Sequence, residues 1–92
     1  MPLSNDEIIA ALPSVPGWKL FGRAIERAFS FPDFVAALAF VNQVADAAEK
    51  ANHHPDIAIH YNQVTLSLWS HDSAGVTKRD LKMAATINAI QS

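Results

Sequence analysis

Ile57-Ala58-Ile59-His60-Tyr61-Asn62-Gln63-Val64-Thr65-Leu66-Ser67-Leu68-Trp69 alternates along two short runs. Such alternation argues for half-buried strands, because successive side chains point to opposite faces. Ile57, Ile59 and Tyr61 share one face of the first run, against Ala58 and His60 on the other. Val64, Leu66 and Leu68 share one face of the second, against Thr65, Ser67 and Trp69. Asn62-Gln63 is the tight turn expected between them, and strands joined so closely pair antiparallel.

The chain before this hairpin repeats the arrangement. Trp18 to Phe21 and Ala24 to Phe31 read as two more strands, with Gly22-Arg23 as their turn. In the longer strand Ile25, Arg27, Phe29 and Phe31 alternate with Ala24, Glu26, Ala28 and Ser30. Helical patterns flank both hairpins. Ser4 and Glu7 form a capping-box pattern ahead of Ile8, Ile9, Ala11 and Leu12, and Pro13 and Pro16 end that helix. Pro32-Asp33 opens a second helix, in which Phe34, Leu38, Val41, Ala45 and Ala48 make an apolar stripe. Alanine is frequent from Ala36 to Ala51, and Asn52 and Pro55 mark the end. Thr77 with Asp80 predicts the start of a third helix, whose apolar face is Leu81, Ala84, Ala85, Asn88 and Ala89. The expected fold is therefore α+β, in the order α-β-β-α-β-β-α. A four-stranded antiparallel sheet carries three helices on one face, in two layers.

The 92 residues make one domain, 1–92, by size alone. The chain has no cysteine, which excludes disulfides, zinc-thiolate sites and thiol nucleophiles. Net charge is −2 and no basic stripe appears, so nothing electrostatic argues for binding nucleic acid. The longest apolar run, Phe34 to Val41, is far short of the roughly 20 residues of a membrane helix. The N-terminal residues lack the pattern of a secretory signal, so the expected location is cytoplasmic. Glycines at 17, 22 and 75 are too scattered to cradle a phosphate, and no nucleophile-elbow pattern is present.

Chemistry is expected at the histidines. His53 and His54 follow the long helix, and Pro55 holds His54 toward an extended backbone. His71 ends the fourth strand, so pairing of the third and fourth strands brings it to the same end as His54. Histidine transfers protons near neutral pH better than any other side chain. Glu49, one helical turn before His53, is placed to orient it, and Asp80 to face the same pocket. Each has a plainer reading: a polar His-His-Pro loop, a solvated helix-end Glu49, a helix-start Asp80, a core Trp18. Three histidines also suit zinc, although adjacent histidines are not the usual pair of ligands one helical turn apart.

Glu49-Lys50-Ala51-Asn52-His53-His54-Pro55, then Tyr61, His71 and Asp80 in order, resembles the pterin-4a-carbinolamine dehydratase family. Gly17-Trp18 and Ala74-Gly75 extend the likeness over nearly the whole chain. The resemblance implies dehydration of a 4a-hydroxytetrahydropterin to a quinonoid dihydropterin plus water, in support of tetrahydropterin recycling. It implies no metal and no organic cofactor. His53, His54 and His71 would be the catalytic set. His54 and His71 would move protons and His53 would bind the pterin, supported by Glu49, Asp80 and Pro55 and bordered by Trp18. It implies a homodimer or homotetramer. Competing readings are a dimerisation cofactor of a transcription factor without enzymatic role, a dehydratase of another pterin such as one in molybdenum-cofactor metabolism, and a metal-binding module.

Overall fold

The computed structural model describes residues 2–91; Met1 and Ser92, the ends of the expected domain, lie outside them. Helix α1 spans Asn5–Ala11 and runs into a single 3-10 turn at Leu12–Ser14. Strands β1 (Lys19–Phe21) and β2 (Ala24–Ser30) precede helix α2 (Phe34–Ala51). Strands β3 (Asp56–His60) and β4 (Gln63–Leu68) precede helix α3 (Lys78–Gln91). The sheet order is β1-β2-β4-β3, antiparallel throughout. This is the two-layer α+β arrangement the alternation predicts.

The inward faces of the two central strands make the core. Ile25 and Phe29 of β2 and Val64, Leu66 and Leu68 of β4 are buried with Ala37, Phe40 and Val44 of α2 and Met83, Ala84 and Ile87 of α3. Burying each branched aliphatic side chain contributes about 1.5–3 kcal/mol. Phe29 meets Phe40 at a ring-centroid distance of 4.8 Å, joining sheet to helix.

Four details differ from the reading of the sequence. Strand β4 ends at Leu68, so His71 lies in the loop beyond it rather than at the strand end. Pairing of His60 with Gln63 makes the β3–β4 turn Tyr61-Asn62, one residue earlier than expected. Tyr61 takes a left-handed φ of 58°. Tertiary bonds hold this turn, since Phe31 N–H donates to the Asn62 carbonyl and Asn62 Nδ2 donates to the Phe31 carbonyl. The change moves the pairing by two positions along β4, so every side chain keeps its face. Helix α2 buries Ala37, Phe40, Val44 and Ala48, whereas Phe34 and Ala45 of the expected stripe are exposed. Helix α3 buries Asp80, Met83, Ala84 and Ile87, and Ala85 and Ala89 face outward. Alanine is apolar on every side of such helices, so the pattern does not choose a face. The sheet chooses it by accepting Phe40, Val44, Met83 and Ile87.

A polar clasp ties the first strands to α3. Asn88 Oδ1 accepts from Trp18 Nε1 at 2.9 Å and from Arg27 Nη1 at 2.6 Å, while Asn88 Nδ2 donates to the Pro16 carbonyl at 3.0 Å. Arg27 therefore stays on the inward face between Ile25 and Phe29, with its Nη1 donating to the Pro16 carbonyl and to Asn88 Oδ1. Gly17 permits this approach. Its φ is +91°, and a Cβ there would lie 2.6 Å from Arg27 Nε.

Candidate active site

The end of α2 sets the first histidines. Asn52 takes a left-handed φ of 50°. Its N–H donates to the Glu49 carbonyl, and His53 N–H donates to the Ala48 carbonyl. These two bonds form a helix-ending turn of the Schellman type, which reverses the chain and breaks the helical spacing. His53 consequently turns inward. It is buried, and its Nε2 lies 2.5 Å from Asp80 Oδ1. His54 turns outward, with Nε2 2.5 Å from Glu49 Oε2. Glu49 thus orients His54 rather than His53, because the left-handed residue cancels the one-turn spacing that suggested the other pairing. Pro55 follows, partly buried, and leads into β3.

Asp80 is the hub. It is fully buried in the first turn of α3. Its Oδ2 accepts from Thr77 N–H at 2.8 Å and from Ser70 Oγ at 2.9 Å, and its Oδ1 faces His53. Ser70 Oγ also lies 2.8 Å from Thr77 Oγ1. An ionised carboxylate only accepts, so each of these groups donates to it. With the carboxylate as acceptor, the His53 tautomer that fits this contact has its proton on Nε2, leaving Nδ1 as its other nitrogen. Among the described residues no buried side-chain nitrogen or oxygen lacks a partner.

Ser70 is the neighbour of His71, so Asp80 draws His53 and the end of β4 together. A bridge between Ser70 and Gly75 closes the loop that follows. His71 is exposed and stacks on Trp69, with ring centroids 3.8 Å apart and planes inclined at 26°. Trp69 Nε1 donates to Asp56 Oδ2 at 3.3 Å, two residues beyond His54. Continuing the β3–β4 register sets His54 level with Trp69 and His53 level with Ser70. His53, His54 and His71 therefore gather at one end of the hairpin, with Glu49 and Asp80 behind two of them.

Trp18 takes its plainer reading. It is buried in the core, spends its N–H on Asn88 and meets Phe29 edge-on at 6.4 Å. Ser70, Thr77, Asn52, Asp56 and Trp69 are contributors the sequence reading did not single out. For Trp69 the spacing of two from His71 on an extended chain was the available signal. Thr77 and Asn52 carried only local helix-end signals, the Thr77-Asp80 cap and the end of the long helix, whereas the contact of Ser70 with Asp80 and of Asp56 with Trp69 is tertiary.

An open cavity of about 820 Å³ lies between α2 and α3, lined by Asp46, Lys50, His53, Arg79 and Lys82 among others. His54 and His71 are not in its lining, so the hairpin end and not this groove gathers the histidines. Among the described residues no cluster of three or more histidine or carboxylate side chains is arranged to hold a metal ion. No described helix is long and apolar enough to cross a membrane.

Residues 1–90 match the family model described as pterin 4 alpha carbinolamine dehydratase. A Koribacter versatilis relative, provisionally named a pterin-4-alpha-carbinolamine dehydratase, is 58% identical over 88 residues, covering 96% of this chain and 94% of its own. A Mycolicibacterium smegmatis relative with the same provisional name is 44% identical over 90 residues, covering 98% and 96%. The crystal structure of a transcriptional coactivator/pterin dehydratase from Brucella melitensis matches with a TM-score of 0.94 at 40% identity, covering 100% of both chains. A pterin dehydratase-like protein identified as a RuBisCO assembly factor in the alpha-carboxysome matches with a TM-score of 0.69 at 22% identity, covering 80% and 88%. That second likeness is one of fold.

Proposed function

The chain belongs to the pterin 4 alpha carbinolamine dehydratase family, and we propose that it removes water from a 4a-hydroxytetrahydropterin to give a quinonoid dihydropterin. The observation that carries this reading is the gathering of three histidines at one strand end, two of them paired with carboxylates.

The bond to be broken explains the need for them. Hydroxide leaves poorly at neutral pH, whereas a proton delivered to the C4a hydroxyl lets it leave as water. A second base takes the proton from the adjacent ring nitrogen, whose electron pair completes the double bond. One proton is given and one taken, so solvent exchange restores the starting state. Of the three, His54 and His71 are exposed and serve as the proton-transfer pair. His53 is held by buried Asp80 and serves to bind and orient the pterin. General acid–base help of this kind is worth about 10²–10⁴-fold. The test is the rate of dehydration above the spontaneous background, for wild type and His71→Ala. Acceleration lost in a folded His71→Ala protein supports the assignment; no acceleration by wild type rejects the reaction.

The chain is proposed to act as a homo-oligomer in the cytoplasm. Strand β3 is an edge, exposed along its length, and Ile57 and Ile59 carry the inward face past the helices at 39% and 40% exposure. Unpaired strand edges with apolar side chains favour association. Light scattering after size exclusion tests this, and a monomer at micromolar concentration rejects it. The same edge suits a second reading, a protein-interaction role; the Brucella melitensis relative is named a transcriptional coactivator/pterin dehydratase. Partner binding that survives loss of all three histidines would favour it.

A further inference from the structure

We propose that Trp69 is the positioning residue for His71, holding its imidazole in the orientation proton transfer requires; this rests on the dehydration proposed above. His71 lies beyond the last residue of β4, where the strand ladder no longer constrains it. Its backbone is fixed by the closed loop, in which Ser70 N–H donates to the Gly75 carbonyl at 2.8 Å. Its side chain is exposed, and among the described residues neither ring nitrogen makes a hydrogen bond. Both nitrogens are thus open to a substrate or to water. An exposed imidazole would otherwise sample several rotamers, most of them aimed away from any bound molecule.

The indole removes that freedom. The rings are stacked with centroids 3.8 Å apart and planes at 26°. Trp69 is itself held from two sides. Its Nε1–H donates to Asp56 Oδ2, and Arg23 from the β1–β2 turn sets its guanidinium carbon 5.6 Å from the ring centroid. Asp56 pairs with Ser67, so Trp69 sits at the diagonal position that a long side chain reaches across strands. Asp56 lies two residues after His54. One indole therefore links the segment bearing His53 and His54 to the segment bearing His71. It fixes the latter ring while leaving both nitrogens unused.

Wild type, Trp69→Ala and Trp69→Phe test the inference in two measurements. The first is proton NMR of the His71 ring, with exposed His60 as internal reference. The second is kcat and KM for 4a-hydroxytetrahydropterin dehydration above background. In wild type the ring current of the indole moves the His71 ring protons upfield of those of His60. Trp69→Ala abolishes that shift and lowers kcat about 3- to 10-fold, the range a stacked aromatic pair supports, with KM within about twofold. Trp69→Phe keeps an aromatic face and restores most of the shift and of kcat. An unshifted His71 in wild type, or an unchanged kcat in Trp69→Ala, overturns the inference. A raised KM at constant kcat also overturns it, since the indole would then be a platform for the pterin. Should Trp69→Ala not fold, the wild-type shift and the Trp69→Phe kinetics decide in its place. A wild type with the upfield shift but no dehydration rejects the proposed reaction while leaving the stack in place; an active wild type without the shift rejects only the positioning role.

Discussion

Replacing Asp80 by alanine tests the arrangement behind His53 most directly. The carboxylate is fully buried and accepts from three groups, Thr77 N–H, Ser70 Oγ and His53 Nε2. Thr77 is only partly buried, so its freed N–H can reach water, and the loss there is one net hydrogen bond of about 1 kcal/mol. Ser70 keeps Thr77 Oγ1 as a partner, so its loss is about 0.5–1 kcal/mol. His53 is buried and loses its acceptor, which costs about 1–3 kcal/mol. Together these come to about 2.5–5 kcal/mol, a large part of the roughly 5–15 kcal/mol that holds a small domain folded. Urea unfolding at one fixed protein concentration measures it. With a slope near 1–1.5 kcal/mol per M, the midpoint should fall by about 2–5 M. Asp80→Asn keeps the volume and one acceptor oxygen, so it should lie between the two proteins. Dehydration by Asp80→Asn should drop about 10- to 100-fold, because His53 loses its fixed orientation. A midpoint within about 0.5 M of wild type for Asp80→Ala, with unchanged slope, would refute the account of a tightly coupled buried network.

Two further outcomes follow from the helix ends. Hydrogen bonds from the backbone and side chain of Ser4, aided by Lys78, hold the Glu7 carboxyl below the ordinary carboxylate range. That contribution is complete above the unfolded pKa and lost as pH falls through the lowered folded value, so the melting temperature of Glu7→Gln should converge on that of wild type on acidification. A difference that widens instead would reject the capping role. At Asn52, which ends α2 with a left-handed φ of 50°, Asn52→Gly should be tolerated and Asn52→Val should cost about 1–2 kcal/mol in chemical denaturation. Equal stability of the two variants would show that the turn does not constrain this residue.

Period-two alternation in two pairs of runs, separated by helical stripes, carried the element order and the antiparallel sheet. These signals are local: the pleat and the helix turn repeat within a few residues, so the chain displays them without reference to its folded form. That the His-His-Pro run and His71 lie at the same end of a hairpin was also legible, because antiparallel pairing returns the chain to that end, although the register sets His54 level with Trp69 rather than with His71. The inward faces of α2 and α3 were not, since alanine offers no contrast between sides and the sheet selects the larger side chains. Nor was the partner of each carboxylate. Glu49 is one helical turn from His53, yet Asn52 reverses the chain, giving Glu49 to His54 and leaving His53 for Asp80, 27 residues away. Trp18 was readable as core or as pocket border, and only Asn88, 70 positions along the chain, decides for the core. Side-chain pairing of this kind depends on where distant backbones cross, and those crossings are set by packing, which local sequence does not encode.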